Sequence, residues 1–598
     1  MDVARLIWET KYRARDAAGR LEASPEDSLR RVATALAGAE APGVREAWRE
    51  RYVSLLQDRR FLPGGRILAG AGTGRRVTLF NCFVMGEIAD SLDGIFDALK
   101  EGAQTLQQGG GVGYDFSTLR PAGMPARSSG MIASGPVSFM RLWDTMSATL
   151  LATGTRRGAM MATLRCDHPD IERFVEAKRN PGALTHFNLS VLVSDDFMRA
   201  VELGADWPLV FPAASLPDVP GERLSRTWSG SRGEEPCVVL RRVPARELWQ
   251  RIMRGAYECA EPGVLFIDRI NRENNLGWRE RISATNPCGE IPLPPYGACD
   301  LGSLNLVRYV RRPYTPEAYV DLASLEADAS VAVRMLDAVI DVSDFPLPAQ
   351  AQEARAKRRI GLGLTGLADA LMLAGLRYDS PAAREQAAAV MRAVGHAAYR
   401  ASVALAREKG AFPSFSAEAY LAAPFVARLP QDIRDGIARF GIRNSHCLAL
   451  APAGSISLLA GNVSSGIEPI FAVDQRRRLI DGGGREHEVG LVDWACDLWR
   501  RTHPGEALPQ SLVTAVELAP EAHLQMQAAL QPYVDNAISK TVNVPQSTSF
   551  ENFSALYDRA YALGLKGCTA FRPHAGMAGV LAAAESQTPC CSVLREGD

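Results

Sequence analysis

The stretch Ala284-Thr285-Asn286-Pro287-Cys288-Gly289-Glu290-Ile291-Pro292-Leu293 decides how the chain is read. Pro287 and Gly289 deny it both a regular helix and a central strand, so Cys288 is expected at the tip of a loop. Asn286 and Glu290 stand two residues to either side, and an extended tip would aim all three side chains one way. A thiol beside a carboxylate and an amide suits catalysis better than metal binding. Taken alone, the segment also admits a structural or incidental cysteine.

Working outward, Cys299 follows in Ala298-Cys299-Asp300-Leu301-Gly302-Ser303-Leu304-Asn305-Leu306, and Cys82 precedes in Phe80-Asn81-Cys82-Phe83-Val84. Each begins or lies in a strand-like run. The chain has no Cys-x-x-Cys pair and no His-x-x-x-His, so metal ligation by these cysteines is not expected. Strand-like runs at 80–84, 187–191 and 303–306 alternate with helical stretches at 92–107, 325–342 and 365–375. That alternation predicts an α/β fold, and no internal repeat interrupts it.

Residues 1–58 read as helical and charged, with Trp8, Leu21, Leu29, Val32 and Leu36 at rough helical spacing. The turn Pro63-Gly64-Gly65 opens a second region that continues to about residue 572. Beyond it, 573–598 turns to Ala, Gly, Ser and Gln and closes with Pro589-Cys590-Cys591-Ser592, which predicts a mobile tail.

With 598 residues, 47% of them hydrophobic, the chain can bury a large core. Sixty-seven Lys+Arg against 68 Asp+Glu leave a net charge of -1, which argues against a protein that coats nucleic acid. No apolar run reaches the roughly 18 residues of a membrane span, and Met1-Asp2-Val3-Ala4-Arg5-Leu6 lacks a secretion pattern. A cytoplasmic location, away from membranes and nucleic acid, is expected. Eleven scattered cysteines make no secreted disulfide framework. In a cytosol they are thiols, and any disulfide there is expected to be catalytic.

Gly-rich stretches stand at 108–113, 128–136 and 153–158. The first is not a dinucleotide fingerprint, because its spacing is wrong and no strand–Gly–helix unit frames it. Another segment, Ala451-Pro452-Ala453-Gly454-Ser455-Ile456-Ser457, looks like a loop entering a helix. Free N–H groups and hydroxyls there suit a phosphate, with an ordinary N-cap as the competing reading.

In their order along the chain, these segments resemble the catalytic chain of ribonucleotide reductases, most closely the adenosylcobalamin-dependent class. The resemblance runs from about residue 60 to 573. It is carried by Phe80–Val84, Gly109-Gly110-Gly111-Val112-Gly113-Tyr114-Asp115, Arg156-Arg157-Gly158, Asp167-His168-Pro169 and Phe187-Asn188-Leu189-Ser190-Val191. It continues through the Asn286–Leu293 loop, Arg359-Ile360-Gly361-Leu362-Gly363, the 451–457 segment, Gly466-Ile467-Glu468-Pro469 and Leu565-Lys566-Gly567-Cys568-Thr569.

The resemblance implies a ten-stranded α/β barrel around a central finger loop over 59–572, a short helical N-terminal region over 1–58, and a flexible redox tail over 573–598. It implies reduction of ribonucleotides, as diphosphates, to 2′-deoxyribonucleotides by a thiyl radical. Cys288 would carry the radical, Glu290 would serve as general base, and Asn286 would orient the substrate. Cys82 and Cys299 would be the redox pair that ends as a disulfide. Asn81, Gly110, Gly111 and Asn188 would lie against substrate, and its phosphates would rest on Ala453, Gly454, Ser455, Ile456 and Ser457. The family usually has Thr where Ala453 stands, which shifts weight to the backbone.

Cys590 and Cys591, adjacent here instead of separated as usual, would relay electrons from thioredoxin or glutaredoxin. Asp90 and Arg120, with loops at about 126–137 and 148–159, match positions for a dNTP effector at a homodimer interface. For these two residues an N-cap Asp and a surface Arg is the competing reading. The first 58 residues look too short for a separate activity-setting ATP domain.

The radical source follows by comparison with the other classes. No Tyr-Tyr pair is present, Phe571 stands in the corresponding stretch, and no C-terminal Arg-x-x-Gly-Tyr appears. That leaves adenosylcobalamin, and without an Asp-x-His-x-x-Gly motif the protein is expected to give cobalt no histidine. Two rivals remain: a catalytic subunit needing a separate radical-generating subunit, and a silent dNTP-binding paralogue. The absent tyrosine pair counts against the first, and the full set Cys82, Asn286, Cys288, Glu290 and Cys299 against the second. Cys166, Cys237, Cys259, Cys447, Cys496 and Cys568 are read as packing residues.

Overall fold

The computed structural model describes residues 3–573 except 17, 126–131, 151–158, 181, 218, 232 and 481–485, together with 581–583 and 589–590. Ten strands share one sheet. They are β1 (Phe61–Pro63), β2 (Cys82–Val84), β3 (Gly111–Asp115), β4 (Met160–Arg165), β5 (Phe187–Val193), β6 (Gly263–Phe266), β7 (Ala298–Asn305), β8 (Ile360–Thr365), β9 (Thr541–Asn543) and β10 (Gly567–Phe571). Their order is β1-β7-β2-β3-β4-β5-β6-β10-β9, with β8 also paired to β7.

Strands β2 to β6 are parallel neighbours in chain order, as expected where helices connect them. Beyond β8 the ring continues through single bridges, Leu362 to Leu448 and Leu450 to Ile538, which lead to the β9 edge. The sheet thereby curls into the barrel. Parallel strands covered on both faces read as unbroken apolar runs, and β4 is buried through Met160, Met161, Ala162, Thr163 and Leu164.

Strand β7 begins at Ala298, so Cys299 lies in a strand as its surrounding run predicted; the strand takes in 303–305 of the 303–306 run as well and is buried along its whole length. The expected helices at 92–107, 325–342 and 365–375 are found at Leu92–Gln107, Leu322–Val342 and Leu367–Leu373.

The N-terminal region is helical. Helix α1 (Pro25–Ala37) starts with a capping box: the Ser24 hydroxyl accepts from Asp27 N, and the Asp27 carboxylate accepts from Ser24 N. It buries Val32, Ala33, Leu36 and Ala37. Leu21 does not join this stripe; it is 43% exposed, on a reversal where Gly19 has φ +80° and Arg15 bridges to Leu21. Helix α2 (Arg45–Gln57) follows. Arg334, on α3 (Leu322–Val342), donates to Glu40 at 2.8 and 2.6 Å and ties this region to the barrel's helical layer.

Residues 581–583 and 589–590 form short strands beside the hairpin Asp474–Ile480 and Glu486–Val492. Among the described residues no helix is long and apolar enough to cross a membrane.

Candidate active site

Two-residue strands Ala284–Thr285 and Pro292–Leu293 pair antiparallel and form the base of a finger. Its tip is not extended. Gly289 N donates to Asn286 O at 3.1 Å, so Asn286-Pro287-Cys288-Gly289 is a tight turn. Pro287 presets φ at the second position, and Gly289 takes φ +84° without a Cβ penalty. Turn closure, rather than strand alternation, sets where Asn286 and Glu290 point.

The finger is held from several sides. Asn188 Nδ2 donates to Pro287 O at 2.8 Å, Ala537 N to Glu290 O at 2.9 Å, and Thr163 Oγ1 to Ser283 O at 2.9 Å. Gly113 on β3 admits it: a Cβ at that position would lie 1.9 Å from Thr285 O.

Asn286 is fully buried. Its Oδ1 accepts from Ile291 N at 3.0 Å and from Thr285 Oγ1 at 3.1 Å, which leaves Nδ2 to donate to Cys82 Sγ at 3.1 Å. Glu290, 1% exposed, brings Oε1 to 4.0 Å from the same sulfur. Cys82 lies in direct antiparallel register with Cys299. Cys299 is fully buried and its thiol donates to Asp300 O at 3.3 Å. Burial, and then the Asp300 carboxyl, push its pKa well above the usual thiol value, so it stays protonated at neutral pH. Cys82, Cys288 and Cys299 are all thiols.

Two cavities meet at the turn. A small one, about 30 Å³, is bordered by Asn81, Cys82, Gly111, Asn286, Glu290 and Ala453. A larger one, about 310 Å³, is bordered by Asn188, Ser190, Gly263, Gly454, Ser457 and Thr569. Pro287 and half-buried Cys288 border both.

Most residues singled out in the sequence therefore converge, but not all in the expected way. Gly110 turns from the cavity: its missing Cβ would meet the Phe83 ring at 2.7 Å. Ile456 borders the small cavity. The hydroxyls assigned to phosphate are engaged within the protein. Ser455 Oγ lies 2.7 Å from Tyr12 Oη, and Ser457 Oγ donates to Gly454 O at 2.8 Å. Ala453 precedes helix α4 (Gly454–Leu459) with φ +50° and provides no side-chain cap. Gly64 and Ser303 also border the small cavity; the Pro63-Gly64-Gly65 turn marked the first. Tyr12 was missed, since no local motif links it to Ser455.

Arg120 Nε donates to Asp90 Oδ2 at 2.7 Å, so these two distant residues pair. Ser91, not Asp90, caps helix Leu92–Gln107. The loops at 126–137 and 148–159 lie partly outside the described residues, as does Cys591; Cys590 is described only as the end of strand Pro589–Cys590. Cys166, Cys237, Cys447, Cys496 and Cys568 are buried, and Cys259 is half-buried. Among the described residues no group of three or more His, Cys, Asp and Glu could hold a metal ion. His168 is occupied, with Nε2 3.0 Å from Leu119 O and Nδ1 accepting from Asp170 N.

A sheltered cysteine on an inward finger, set in a ten-stranded barrel beside two further thiols in register, defines a barrel enzyme of thiol redox chemistry. Family models sharpen this: the ribonucleotide reductase barrel domain matches residues 80–571, and the ribonucleotide reductase all-alpha domain matches residues 2–76. The chain belongs to the ribonucleotide reductase family. It is 40% identical over 589 residues to the vitamin B12-dependent ribonucleoside-diphosphate reductase of Mycobacterium tuberculosis (strain CDC 1551 / Oshkosh), covering 95% of this chain and 78% of that one. The protein of the same name from Thermoplasma acidophilum is 34% identical, over 90% and 67% of the two chains. The ribonucleoside-diphosphate reductase large subunit of Vaccinia virus is 25% identical, over 91% and 73%.

Proposed function

We propose that the chain reduces ribonucleoside diphosphates to 2′-deoxyribonucleoside diphosphates, with adenosylcobalamin as radical source, and so supplies DNA precursors in the cytoplasm. The position of Cys288 carries this reading. It borders the larger cavity on one side and, on the other, the small cavity shared with Cys82, Asn286 and Glu290. One sulfur can thus take up a radical from one cavity and act in the other.

The larger cavity suits the cofactor's adenosyl arm. Its volume falls at the lower end for ligand clefts, and Gly263 keeps its wall open where a Cβ would meet Thr569 Oγ1 at 3.0 Å. Asn188, Ser190, Gly263 and Thr569 would hold that arm. When bound, adenosylcobalamin supplies an unpaired electron by homolysis of its cobalt–carbon bond.

The remaining steps belong to the chain's own residues. The Cys288 thiyl takes the ribose 3′-hydrogen, and Glu290 accepts the 3′-hydroxyl proton. The 2′-hydroxyl takes a proton from the thiol pair and leaves as water. Cys82 and Cys299 give up two electrons and two protons in total, one proton going to the departing water and the other, with the electrons, making the new C2′–H bond, and become a disulfide; Glu290 returns its proton to the 3′-oxygen and Cys288 returns the hydrogen to C3′. Asn286, locked by its two accepted hydrogen bonds, presents its amide to Cys82 and the substrate hydroxyls. With the Ser455 and Ser457 hydroxyls engaged, the backbone N–H groups of residues 453–456 are the phosphate ligands.

Regeneration of the Cys82–Cys299 thiols falls to Cys590 and Cys591, supplied by thioredoxin or glutaredoxin. A dNTP effector bound near Asp90 and Arg120 in a homodimer selects the substrate. The deciding experiment is deoxynucleotide formation from CDP and ADP by the purified chain, with dithiothreitol and a dNTP, with and without adenosylcobalamin. Product only with the cofactor is expected. Product without it, or none in either case, overturns the reading.

A further inference from the structure

A cavity of about 600 Å³ lies apart from the finger, where the N-terminal helices meet β1. Four arginines border it. Arg60 is neutralised by Asp328 at 2.6 Å and Asp58 at 3.3 Å, and Arg311 by Asp321 at 3.0 Å. Arg59 and Arg308 have no carboxylate within ion-pair distance among the described residues, though both face the same space. Partial burial of the side chain, and then the charge of Arg59, lower the pKa of Arg308, with Asp58 acting against them, although the residue as a whole is exposed. The lining carboxylates Asp58 and Asp328 are taken by Arg60; Glu26, exposed on the rim, is the remaining one.

The backbone gives an independent observation. Helix α2 ends with Arg59 N donating to Leu56 O at 2.9 Å, and Arg59 sits at φ +52°. This is the left-handed position after a helix that glycine normally fills. A long side chain there carries strain, and persistent strain of this kind points to a function for the side chain.

We propose that this cavity binds a multiply charged phosphate anion, inorganic polyphosphate or the phosphates of a nucleotide, between Arg59 and Arg308. The site is distinct from the phosphate loop, although Tyr12 borders the cavity and reaches Ser455 with its hydroxyl.

The test is calorimetric titration of the full chain with inorganic triphosphate and, separately, with ATP. Wild type is compared with Arg59→Gly and Arg308→Gln. Glycine suits φ +52°, so Arg59→Gly melts no lower than wild type and its loss of binding is not a loss of fold. At least a tenfold weaker affinity for triphosphate is expected in each variant, and weaker binding at higher salt. Equal affinity for triphosphate and ATP means that phosphates alone are read. Tighter ATP that both substitutions weaken means that a nucleotide is the ligand of this cavity, and either result supports the site; ATP binding that neither substitution changes belongs to the Asp90–Arg120 or substrate site and overturns a nucleotide here. Absence of triphosphate binding by wild type, or unchanged affinity in both variants, overturns the proposal.

Discussion

Cys82 and Cys299 stand directly opposite each other between antiparallel strands β2 and β7. Opposed residues in such a pair have Cα atoms roughly 4.5–5.5 Å apart, inside the roughly 4.4–6.8 Å that a disulfide bridges. The spacing set by this register is therefore one that a disulfide can bridge. The pair also reaches the finger, because Cys82 Sγ accepts from Asn286 Nδ2.

Prereduced enzyme with Cys590 and Cys591 both replaced by Ser should then, without external reductant, form one deoxynucleotide per active site and lose two titratable thiols. Peptide mapping should find Cys82 joined to Cys299. Either single Cys→Ser variant should fail this single turnover. Product formation with an unchanged thiol count would remove the pair from the mechanism.

Cys288→Ala should abolish turnover while leaving the melting free energy within ~0.5 kcal/mol, since the residue is only half-buried at a turn tip. Activity and thermal unfolding on the same preparation check both parts. Retained activity would falsify the radical role.

Gly113→Ala and Gly289→Ala should differ in kind. At Gly113 the added Cβ meets Thr285 O at 1.9 Å, so the finger must shift. A loss of about 1–3 kcal/mol and roughly 10²-fold in turnover is expected. At Gly289 no atom lies within 4 Å, and only the φ of +84° resists. About 1–2 kcal/mol covers that strain. Unfolding curves and kcat for the two variants separate steric displacement from backbone strain.

Glu280 anchors the approach to β8. Its carboxylate takes Lys357 Nζ at 2.6 Å and Arg359 Nη2 at 2.5 Å, and all three side chains are buried. Burial acts to raise its pKa, but Arg359 and Lys357 outweigh it and hold it at about 2, below the ordinary 4.5. A depressed carboxyl pKa gives stability that is present above pH 4.5 and lost as pH falls toward 2. Glu280→Gln should cost about 3–5 kcal/mol near neutrality, because buried Arg359 loses its carboxylate and Lys357 keeps only Glu353. Its stability should also depend less on pH between 4.5 and 2. Denaturant titrations across that window decide it; parallel curves for wild type and variant would show that the network does not set acid stability.

Much of this protein was legible in its sequence because the signals are local. Pro287 and Gly289 can break regular structure wherever they stand, so they marked the loop around Cys288. Strand and helix alternation reported the α/β class, and ordered motifs named the barrel. The helix expected over 92–107 formed at Leu92–Gln107, though its cap is Ser91 and not Asp90. The tertiary structure alone decided the rest. It set the register that faces Cys82 with Cys299, the Tyr12 hydroxyl on Ser455, and the turn that replaced an extended tip. It also left Arg59 and Arg308 without an ion-pair partner among the described residues. These depend on which distant groups compete for each hydrogen bond and charge. That competition is settled only when packing brings the segments together.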